Sequence, residues 1–296
     1  MTEYFSVHEA AALWGLSERS VRNYCAAGRV EGAFLSGKTW KIPKDAQKPI
    51  RQTRTRRAAD DLLSRLRAEK SANLRGGVYH KIQVELTYNS NHIEGSRLTE
   101  DQTRWIFETN TVGAADSVRV DDIIETTNHF RCIDFVIDAA SRQLNEKLIL
   151  QLHAMLKNGT NDARLDWFAV GGYKKLPNEI GGKETTLPEN VSSEMKALLA
   201  DYNAKKEKTL DDLLNFHYRF ESIHPFQDGN GRIGRLILFK ECLHFRIVPF
   251  IISDDFKLYY YRGLQSWPTE RGYLRETCLA AQDNFKKTLD YFRISY

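Results

Sequence analysis

The chain has 296 residues and a formal net charge of +4, and its 42% apolar and 28% charged residues exclude wholesale disorder and suggest about two globular domains. No apolar run approaches the ~18–20 residues that span a bilayer, and the start MTEYFSVHEA lacks the pattern of a signal peptide. The four cysteines are too widely spaced for a disulfide framework or a structural zinc site, so we expect a cytoplasmic protein that does not contact a membrane.

The first elements along the chain predict a small N-terminal domain over residues 1–46. Residues 6–14 and 18–26 have the pattern of two short helices, and residues 33–42 have that of a hairpin. Helix, tight turn, helix and hairpin are the layout of a winged helix-turn-helix. The basic segment 47–58 has no periodic apolar positions and is interpreted as a linker.

Positive charge is concentrated in this part of the chain. Residues 1–57 hold 11 Lys and Arg against 5 Asp and Glu, whereas the remainder holds 32 against 34, which indicates a polyanionic partner for the head. The residues expected to contact DNA are Arg19, Arg22 and Asn23 of the second helix and Lys38 and Lys41 of the wing.

The segment Trp40-Lys41-Ile42-Pro43 resembles the end of the wing in MerR-like and excisionase-like domains. The resemblance implies a DNA-binding head. One such unit binds DNA weakly, so useful affinity would need a homodimer or a second site. A small protein-docking module with incidental charge is the alternative.

Helical patterns dominate from about residue 59 to the end. Apolar residues recur at spacings of three and four in VDDIIETTNHFRCIDFVIDAA and in LDDLLNFHYRFESI. One break, at residues 171–190, has Gly181-Gly182 in its middle and predicts a β-hairpin among helices. We therefore expect an all-α core with a small hairpin over residues 59–296.

The segment HPFQDGNGRIGR, residues 224–235, carries the chemistry. A helix runs up to His224 and ends there because a proline follows, and a second helix begins after a loop with glycines on both sides of Asn230. The loop therefore offers backbone N–H groups at a helix N-terminus, where phosphates bind. Arg232 and Arg235, three residues apart, predict a cationic fork for further phosphate oxygens.

Two further side chains of the segment suit phosphate chemistry. Asp228 supplies a hard oxygen ligand that suits Mg²⁺, and the imidazole of His224 can take a hydroxyl proton near neutral pH. The predicted ATP-binding residues here are Asp228, Gly229, Asn230, Gly231, Arg232, Ile233, Gly234 and Arg235. An anion-binding turn without catalysis is the alternative.

The segment matches every fixed position of the signature HPFx(D/E)GNGRxxR, and the chain resembles Fic proteins from about Asn73 to Tyr261. The resemblance implies a helical core and the transfer of AMP from ATP to a Ser, Thr or Tyr hydroxyl of a protein, the chain itself included. It also implies that His224 is the general base, that Asp228 holds Mg²⁺ between the α- and β-phosphates, and that Arg235 faces the γ-phosphate.

The run Ser90-Asn91-His92-Ile93-Glu94-Gly95 resembles the inhibitory pattern (S/T)xxxE(G/N) of Fic proteins whose inhibitory helix precedes the core. Ser90, Glu94 and Gly95 are the fixed positions, and Glu94 is expected to pair with Arg235 and displace the γ-phosphate. A glutamate at a helix end before a glycine cap is the alternative. Some inhibitory glutamates of this family also support the removal of AMP, and the sequence leaves that choice open.

Residues 176–187, called the flap hairpin below, occupy the position of the Fic flap, which pairs by its backbone with an extended segment of the target protein. Its tip, Ile180-Gly181-Gly182-Lys183, is expected to line the nucleotide. Tyr260 and Tyr261 resemble a YYxxL segment near the adenine of ATP, although three consecutive tyrosines also suit core packing. The family often has Asn where this chain has Pro268, which puts contacts to the base in doubt.

Three functions follow from these patterns. The first is an adenylyltransferase with a DNA-binding head. The second is a DNA-binding regulator whose Fic-like domain only senses nucleotide, and the presence of His224 argues against it because a sensor needs no base. The third is another reaction of the same site, either de-AMPylation or transfer of another phosphate-linked group.

Overall fold

The structure is a computed structural model that describes residues 3–26, 28–37, 39–49, 61–113 and 117–296, except for the side chain of Arg19. The chain divides into two compact units, residues 1–57 and residues 58–296. Residues 50–58 of the predicted linker lie outside the described residues, as does Lys38.

The first unit contains two helices and a three-stranded antiparallel sheet with strand order β1-β3-β2. Its elements are β1 (Tyr4–Phe5), α1 (Val7–Trp14), α2 (Glu18–Ala26), β2 (Phe34–Ser36) and β3 (Thr39–Pro43). Ser6 caps α1 by accepting the backbone N–H of Glu9, whose carboxylate accepts the backbone N–H of Ser6 in return. Ala10, Val21 and Ile42 are fully buried between these elements. The two short helices and the hairpin are therefore present where the sequence predicts them.

The second unit is helical, with one two-stranded hairpin. Its elements in chain order are α3 (Leu62–Ser71), α4 (Val78–Ile93), α5 (Glu100–Thr109), α6 (Val120–Ala139), α7 (Glu146–Lys157), β4 (Glu179–Ile180), β5 (Lys183–Glu184), α8 (Pro188–Ala204), α9 (Leu210–Ile223), α10 (Asn230–Phe245), α11 (Lys257–Ser266) and α12 (Gly272–Tyr291). This arrangement agrees with the predicted helical domain that contains a small hairpin.

Two hydrophobic clusters meet at α10. The larger cluster joins α10 to the helices before it, with Ile133 of α6, Leu152 of α7 and Ile233 of α10 all fully buried. The second cluster joins α9 and α10 to the two C-terminal helices through buried residues such as Leu238 and Trp267. Because α10 is held by apolar contacts on both sides, its N-terminus has a fixed position relative to α4, α6 and α9.

The four cysteines, Cys25, Cys132, Cys242 and Cys278, are all buried and free. Among the described residues, no helix combines the length and the apolar character that crossing a bilayer requires.

Candidate active site

The loop between α9 and α10 is built by two unusual backbone conformations. His224 closes α9 with φ +51° and ψ +61°, and its backbone N–H donates to the carbonyl of Phe220 at 3.0 Å. A left-handed backbone is uncommon at a non-glycine residue, and here it ends the helix just before Pro225. Gly229, with φ +85°, then begins α10. His224 and the N-terminus of α10 therefore lie at the two ends of one short loop.

Asn230 holds this loop in shape with both ends of its side-chain amide. Its Oδ1 accepts the backbone N–H of Phe226 at 2.8 Å, and its Nδ2 donates to the backbone carbonyl of Phe226 at 2.8 Å. The ring of Phe226 stacks on His153 with 4.0 Å between the centroids and 3° between the planes. Both polar atoms of the side-chain amide are occupied by Phe226. The group of Asn230 that can bind a phosphate is therefore its backbone N–H at the start of α10.

The imidazole of His224 is half-buried and electrostatically biased toward its neutral form. Its Nδ1 is buried, and no described residue forms a hydrogen bond with it. Burial lowers the pKa of His224, the charge of Lys174 lowers it further, and the carboxylates of Glu94 and Asp228 raise it, with a net result below the ordinary value. A neutral imidazole at pH 7 is the form that accepts a proton.

Asp228 belongs to a cluster of five charged side chains. Its Oδ2 accepts hydrogen bonds from Lys157 Nζ at 2.7 Å and from Arg232 NH2 at 3.0 Å. Lys157 also donates to Glu125 and Asp162, and Arg232 also donates to Glu125. Burial raises the pKa of Asp228, but the two cations outweigh burial and hold that pKa below its usual range. Asp228 is therefore ionised at neutral pH, with both cations on the same oxygen.

Arg235 makes a different set of contacts from Arg232. Its NH2 donates to Glu94 Oε1 at 2.7 Å and to the carbonyl of Ser90 at 2.9 Å, and its Nε donates to Ser90 Oγ at 3.0 Å. Burial lowers the pKa of Arg235, but the Glu94 carboxylate more than reverses this effect. The carboxylate also lies against Gly231, where an added Cβ would collide with Oε1. The two guanidinium groups therefore do not form the single fork expected from their spacing, because each already binds its own carboxylate.

The flap hairpin is present, with β4 and β5 pairing through Glu179 opposite Glu184 and Ile180 opposite Lys183. Residues 180–183 at its tip are all exposed. Just before β4, the Asn178 Nδ2 donates to the carbonyl of Phe226 at 3.0 Å. The base of the hairpin is thus attached to the site loop, while the tip faces solvent.

Two predicted residues at the start of α10 serve packing. Ile233 is fully buried in the main core. A Cβ on Gly234 would collide with Glu221 Oε1 and would lie 2.8 Å from His217 Cε1. Burial raises the pKa of Glu221 to about 8 and lowers the pKa of His217 to about 3. Only a glycine fits between α10 and these two neutral, buried side chains.

The two tyrosines predicted near the adenine occupy different environments. Tyr260 is 1% exposed, and its hydroxyl is hydrogen-bonded to His217 Nε2 inside the second cluster. Tyr261 is 38% exposed. Tyr260 therefore packs in the core, the alternative left open by the sequence, and Tyr261 is the one of the pair that reaches the surface.

Three of the residues predicted to contact DNA have described side chains. Arg22 and Asn23 are exposed on α2, and Lys41 is exposed on β3. Arg22 pairs with Glu18 at 3.2 Å, a contact between two exposed side chains that contributes little to stability.

Four charged residues of the site were not found from the sequence: Glu125, Lys157, Asp162 and Lys174. Lys157 is 1% exposed and Lys174 is 3% exposed, although lysine is almost never fully buried. Lys157 pairs with Glu125 and Asp228, which lie 32 and 71 residues away, so no local motif could join them. Helical spacing was the one indication of where Lys157 lies. It is four residues after His153 on α7, so the two side chains share a face of the helix, and His153 is buried.

Known proteins resemble this chain in both sequence and fold. Residues 143–241 match the Fic/DOC family model. A curated relative from Drosophila grimshawi, named protein adenylyltransferase Fic, is 27% identical over 214 residues, which cover 69% of this chain and 42% of that protein. The chain thus spans about two fifths of the length of the curated relatives it matches.

Solved structures of low identity share the fold. Fic-1 from C. elegans is 20% identical, with a TM-score of 0.62 over 79% of this chain and 72% of that chain. A Fic domain containing signaling protein from Bacteroides thetaiotaomicron is 24% identical, with a TM-score of 0.59 over 77% of this chain and 90% of that chain. Together these findings show a Fic/DOC family match over residues 143–241 and a helical Fic fold.

Proposed function

We propose that this chain is a protein adenylyltransferase, which transfers AMP from ATP to a Ser, Thr or Tyr hydroxyl of a protein, itself included. The observation that carries the proposal is the single loop that joins a neutral, half-buried imidazole at His224 to the N-terminus of α10. The family match and the name shared by the curated relatives support the same class of reaction.

In this proposal the phosphates of ATP lie at the start of α10, where free backbone N–H groups and the helix dipole favour anions. The Nδ1 of His224 is buried, so Nε2 is the atom that takes the proton of the target hydroxyl. The hydroxyl oxygen forms a bond to the α-phosphorus. The bond from that phosphorus to the oxygen bridging to the β-phosphate breaks, and pyrophosphate leaves with the electron pair.

Asp228 fits the role of a magnesium ligand. It is ionised, and both of its cationic partners contact Oδ2, which leaves Oδ1 for a hard cation. One carboxylate combined with phosphate oxygens is a common way for proteins to bind Mg²⁺. When bound, the ion would offset the negative charge of the phosphates, while Lys157 and Arg232 keep the carboxylate in position.

The same proposal includes a brake, in which Glu94 holds the guanidinium of Arg235 away from the γ-phosphate. The contact is a charge-assisted hydrogen bond of 2.7 Å to an arginine that is 6% exposed. A γ-phosphate and the Glu94 carboxylate would need the same guanidinium, so ATP in the productive pose has to displace Glu94.

Incubation with α-labelled ATP and Mg²⁺, followed by intact mass measurement, tests the proposal. The Glu94→Gly protein is expected to gain covalent AMP, and the Glu94→Gly/His224→Ala protein is expected to gain none. Label in neither protein, despite nucleotide binding, would favour the nucleotide-sensing regulator. Competition with UTP and CTP, and incubation of the labelled protein without ATP, would reveal transfer of another nucleotide or removal of AMP.

A DNA-binding role for the first unit is supported by its charge and by the exposed Arg22, Asn23 and Lys41. Such binding weakens steeply with salt because phosphate contacts release counterions. The full chain is expected to retard duplex DNA at low salt, and Arg22→Ala/Lys41→Ala is expected to reduce the slope of log affinity against log salt by about 2. An unchanged slope would favour the protein-docking alternative.

A further inference from the structure

Lys174 lies at the start of the segment that leads into the flap hairpin, and its ammonium group is buried. The residue is 3% exposed. Its Nζ donates to Asn178 Oδ1 at 2.7 Å, to Thr185 Oγ1 at 2.6 Å and to the carbonyl of Ile223 at 3.4 Å. Asn178 precedes β4 and Thr185 follows β5, while Ile223 is the last residue of α9. One ammonium group therefore joins both ends of the hairpin to the residue just before His224.

The backbone around Lys174 repeats this connection. Its own N–H donates to the carbonyl of Pro225 at 2.9 Å, and the N–H of Leu176 donates to Gln227 Oε1 at 3.2 Å. With the Asn178 contact to Phe226, the base of the hairpin follows the site loop almost residue by residue. A change in the structure of the hairpin base therefore also affects the loop that carries His224.

The acceptors of Lys174 are unusual for a buried cation because all of them are neutral: an amide oxygen, a hydroxyl and a carbonyl. No carboxylate in the described part of the chain pairs with it. Burial lowers the pKa of Lys174 to about 8, so it carries a positive charge throughout the range in which His224 titrates. Burying this charge without a carboxylate costs free energy, which its three hydrogen bonds only partly offset.

This unpaired charge opposes protonation of the neighbouring His224. The charged groups that act on His224 are Lys174 from the hairpin base, Glu94 from the end of α4 and Asp228 from the loop itself. The two carboxylates favour the imidazolium, and the ammonium disfavours it. Lys174 is the basic group in this set, and it acts together with burial against the two acids.

We propose that Lys174 is a positioning residue with two roles: it clamps the base of the flap hairpin to the site loop, and its charge keeps His224 in the neutral, proton-accepting form. Its effect on catalysis rests on the proposed transferase function. The clamp and the charge effect are properties of the fold, and they can be measured without any substrate.

The test compares Lys174→Met, which removes the charge and the hydrogen bonds at nearly constant length, with Asn178→Ala, which removes hairpin contacts and no charge. Both are made in the full chain without nucleotide. Hydrogen exchange of the Leu176 and Thr185 amides reports on the clamp, and NMR titration of the His224 imidazole reports on the charge. Lys174→Arg, which restores the charge, serves as the rescue variant, and Lys174→Gln is a second neutral variant in case the methionine protein does not fold.

We expect exchange of the two amides to become roughly tenfold faster in both Lys174→Met and Asn178→Ala, because each loses hydrogen bonds of the base. We expect the pKa of His224 to rise in Lys174→Met and Lys174→Gln, and to keep its wild-type value in Asn178→Ala and Lys174→Arg. An unchanged or lowered pKa of His224 in the neutral variants, or unchanged exchange in both contact-removing variants, overturns the proposal.

Kinetics in the Glu94→Gly background then separate this proposal from the transferase proposal. The acidic limb of the pH–rate profile should move to higher pH in Lys174→Met, whereas Asn178→Ala should mainly raise the KM for the protein target. If no variant transfers AMP and the exchange and titration effects are nevertheless observed, the transferase function fails and the positioning role stands. If AMP is transferred while those two effects are absent, the positioning role fails alone.

Discussion

Arg235 and Glu94 lie 141 positions apart in the chain, and their side chains meet at 2.7 Å. The contact joins the second turn of α10 to the residue that closes α4. The two members differ in freedom, because the arginine side chain is 5% exposed and the glutamate side chain is 29% exposed. The glutamate is therefore the partner that can swing into solvent, and the arginine is held in place by its surroundings.

The first prediction uses this difference. Glu94→Gln keeps the shape of the side chain and removes its charge, so AMP incorporation measured by intact mass should rise at least about tenfold, since hydrogen bonds to charged groups contribute roughly 1.5–3 kcal/mol. Ser90→Ala removes one hydrogen bond to Arg235 and leaves the carboxylate, and it should raise incorporation much less. Equal effects of the two variants would show that the charge of Glu94 is not what restrains the site.

The second prediction concerns the ammonium of Lys157, which holds three carboxylates together. Lys157→Met should lower the free energy of unfolding by about 3 kcal/mol, because removing one partner of a buried ion pair leaves uncompensated charge. The loss should stay at the low end of the usual range, since the side chains of Asp162 and Asp228 are 39% and 47% exposed. Urea unfolding measures this change. The control is Lys196→Met, at an exposed position on α8, which should change the free energy of unfolding by less than about 0.5 kcal/mol.

The third prediction compares two glycines in the first two turns of α10, Gly231 and Gly234. Gly234→Ala should destabilise the fold by about 1–3 kcal/mol, because its Cβ meets the buried Glu221 and His217, which cannot move away. Gly231→Ala meets Glu94, which can swing out, and Arg235 NH1 at 3.0 Å, so its loss of stability should be smaller than that of Gly234→Ala. Similar losses of stability in both variants would contradict the packing seen around α10.

The fourth prediction is a maximum of stability near pH 6.5. Burial lowers the pKa of His129 and His217 to about 3 and that of His153 to about 4, so the unfolded chain binds more protons below 6.5 and stability falls as the pH is lowered. Burial raises the pKa of Glu221 to about 8, so the folded chain keeps a proton that the unfolded chain has lost, and stability falls as the pH rises from 6.5 to 8.

The contribution of Glu221 to this loss should be about 2 kcal/mol, since one pH unit corresponds to about 1.4 kcal/mol for one group, and deprotonation of the three histidines in the unfolded chain offsets part of it. Glu221→Gln should abolish this alkaline fall and make the acidic fall steeper down to about pH 4.5, because the protonated carboxyl stabilises the fold over that whole range. The exposed Glu184→Gln serves as the control and should keep the wild-type profile. Denaturant unfolding at pH 5, 6.5 and 8 provides the measurement.

Local patterns predicted much of the fold. The proline after His224 placed the end of α9, and Gly181-Gly182 placed the turn of the flap hairpin, because each acts on the backbone within a few residues. The inhibitory pattern also led to the contact between Glu94 and Arg235. In each case the information lies in a short run of residues with a direct conformational or chemical meaning.

The rest depends on contacts between distant segments. Spacing alone suggested that Arg232 and Arg235 share one role, yet Glu125 and Glu94 reach them from different helices. Asn230 was predicted to bind ATP, and the structure shows its side chain bound to the backbone of Phe226, because a buried amide has to satisfy both of its polar ends. The contacts of Lys157 with Glu125 and Asp228 join different segments of the chain, so no single segment predicts them.

The reciprocal pair of hydrogen bonds between Asn230 and Phe226 closes the loop without help from any ligand. A nucleotide arriving at the start of α10 would meet amide groups that already point the right way, so association requires no slow folding of the loop and loses little entropy there. In the proposed function, binding at this helix end therefore needs no rearrangement of the loop, and the conformational change that precedes AMP transfer is the movement of Glu94 away from Arg235.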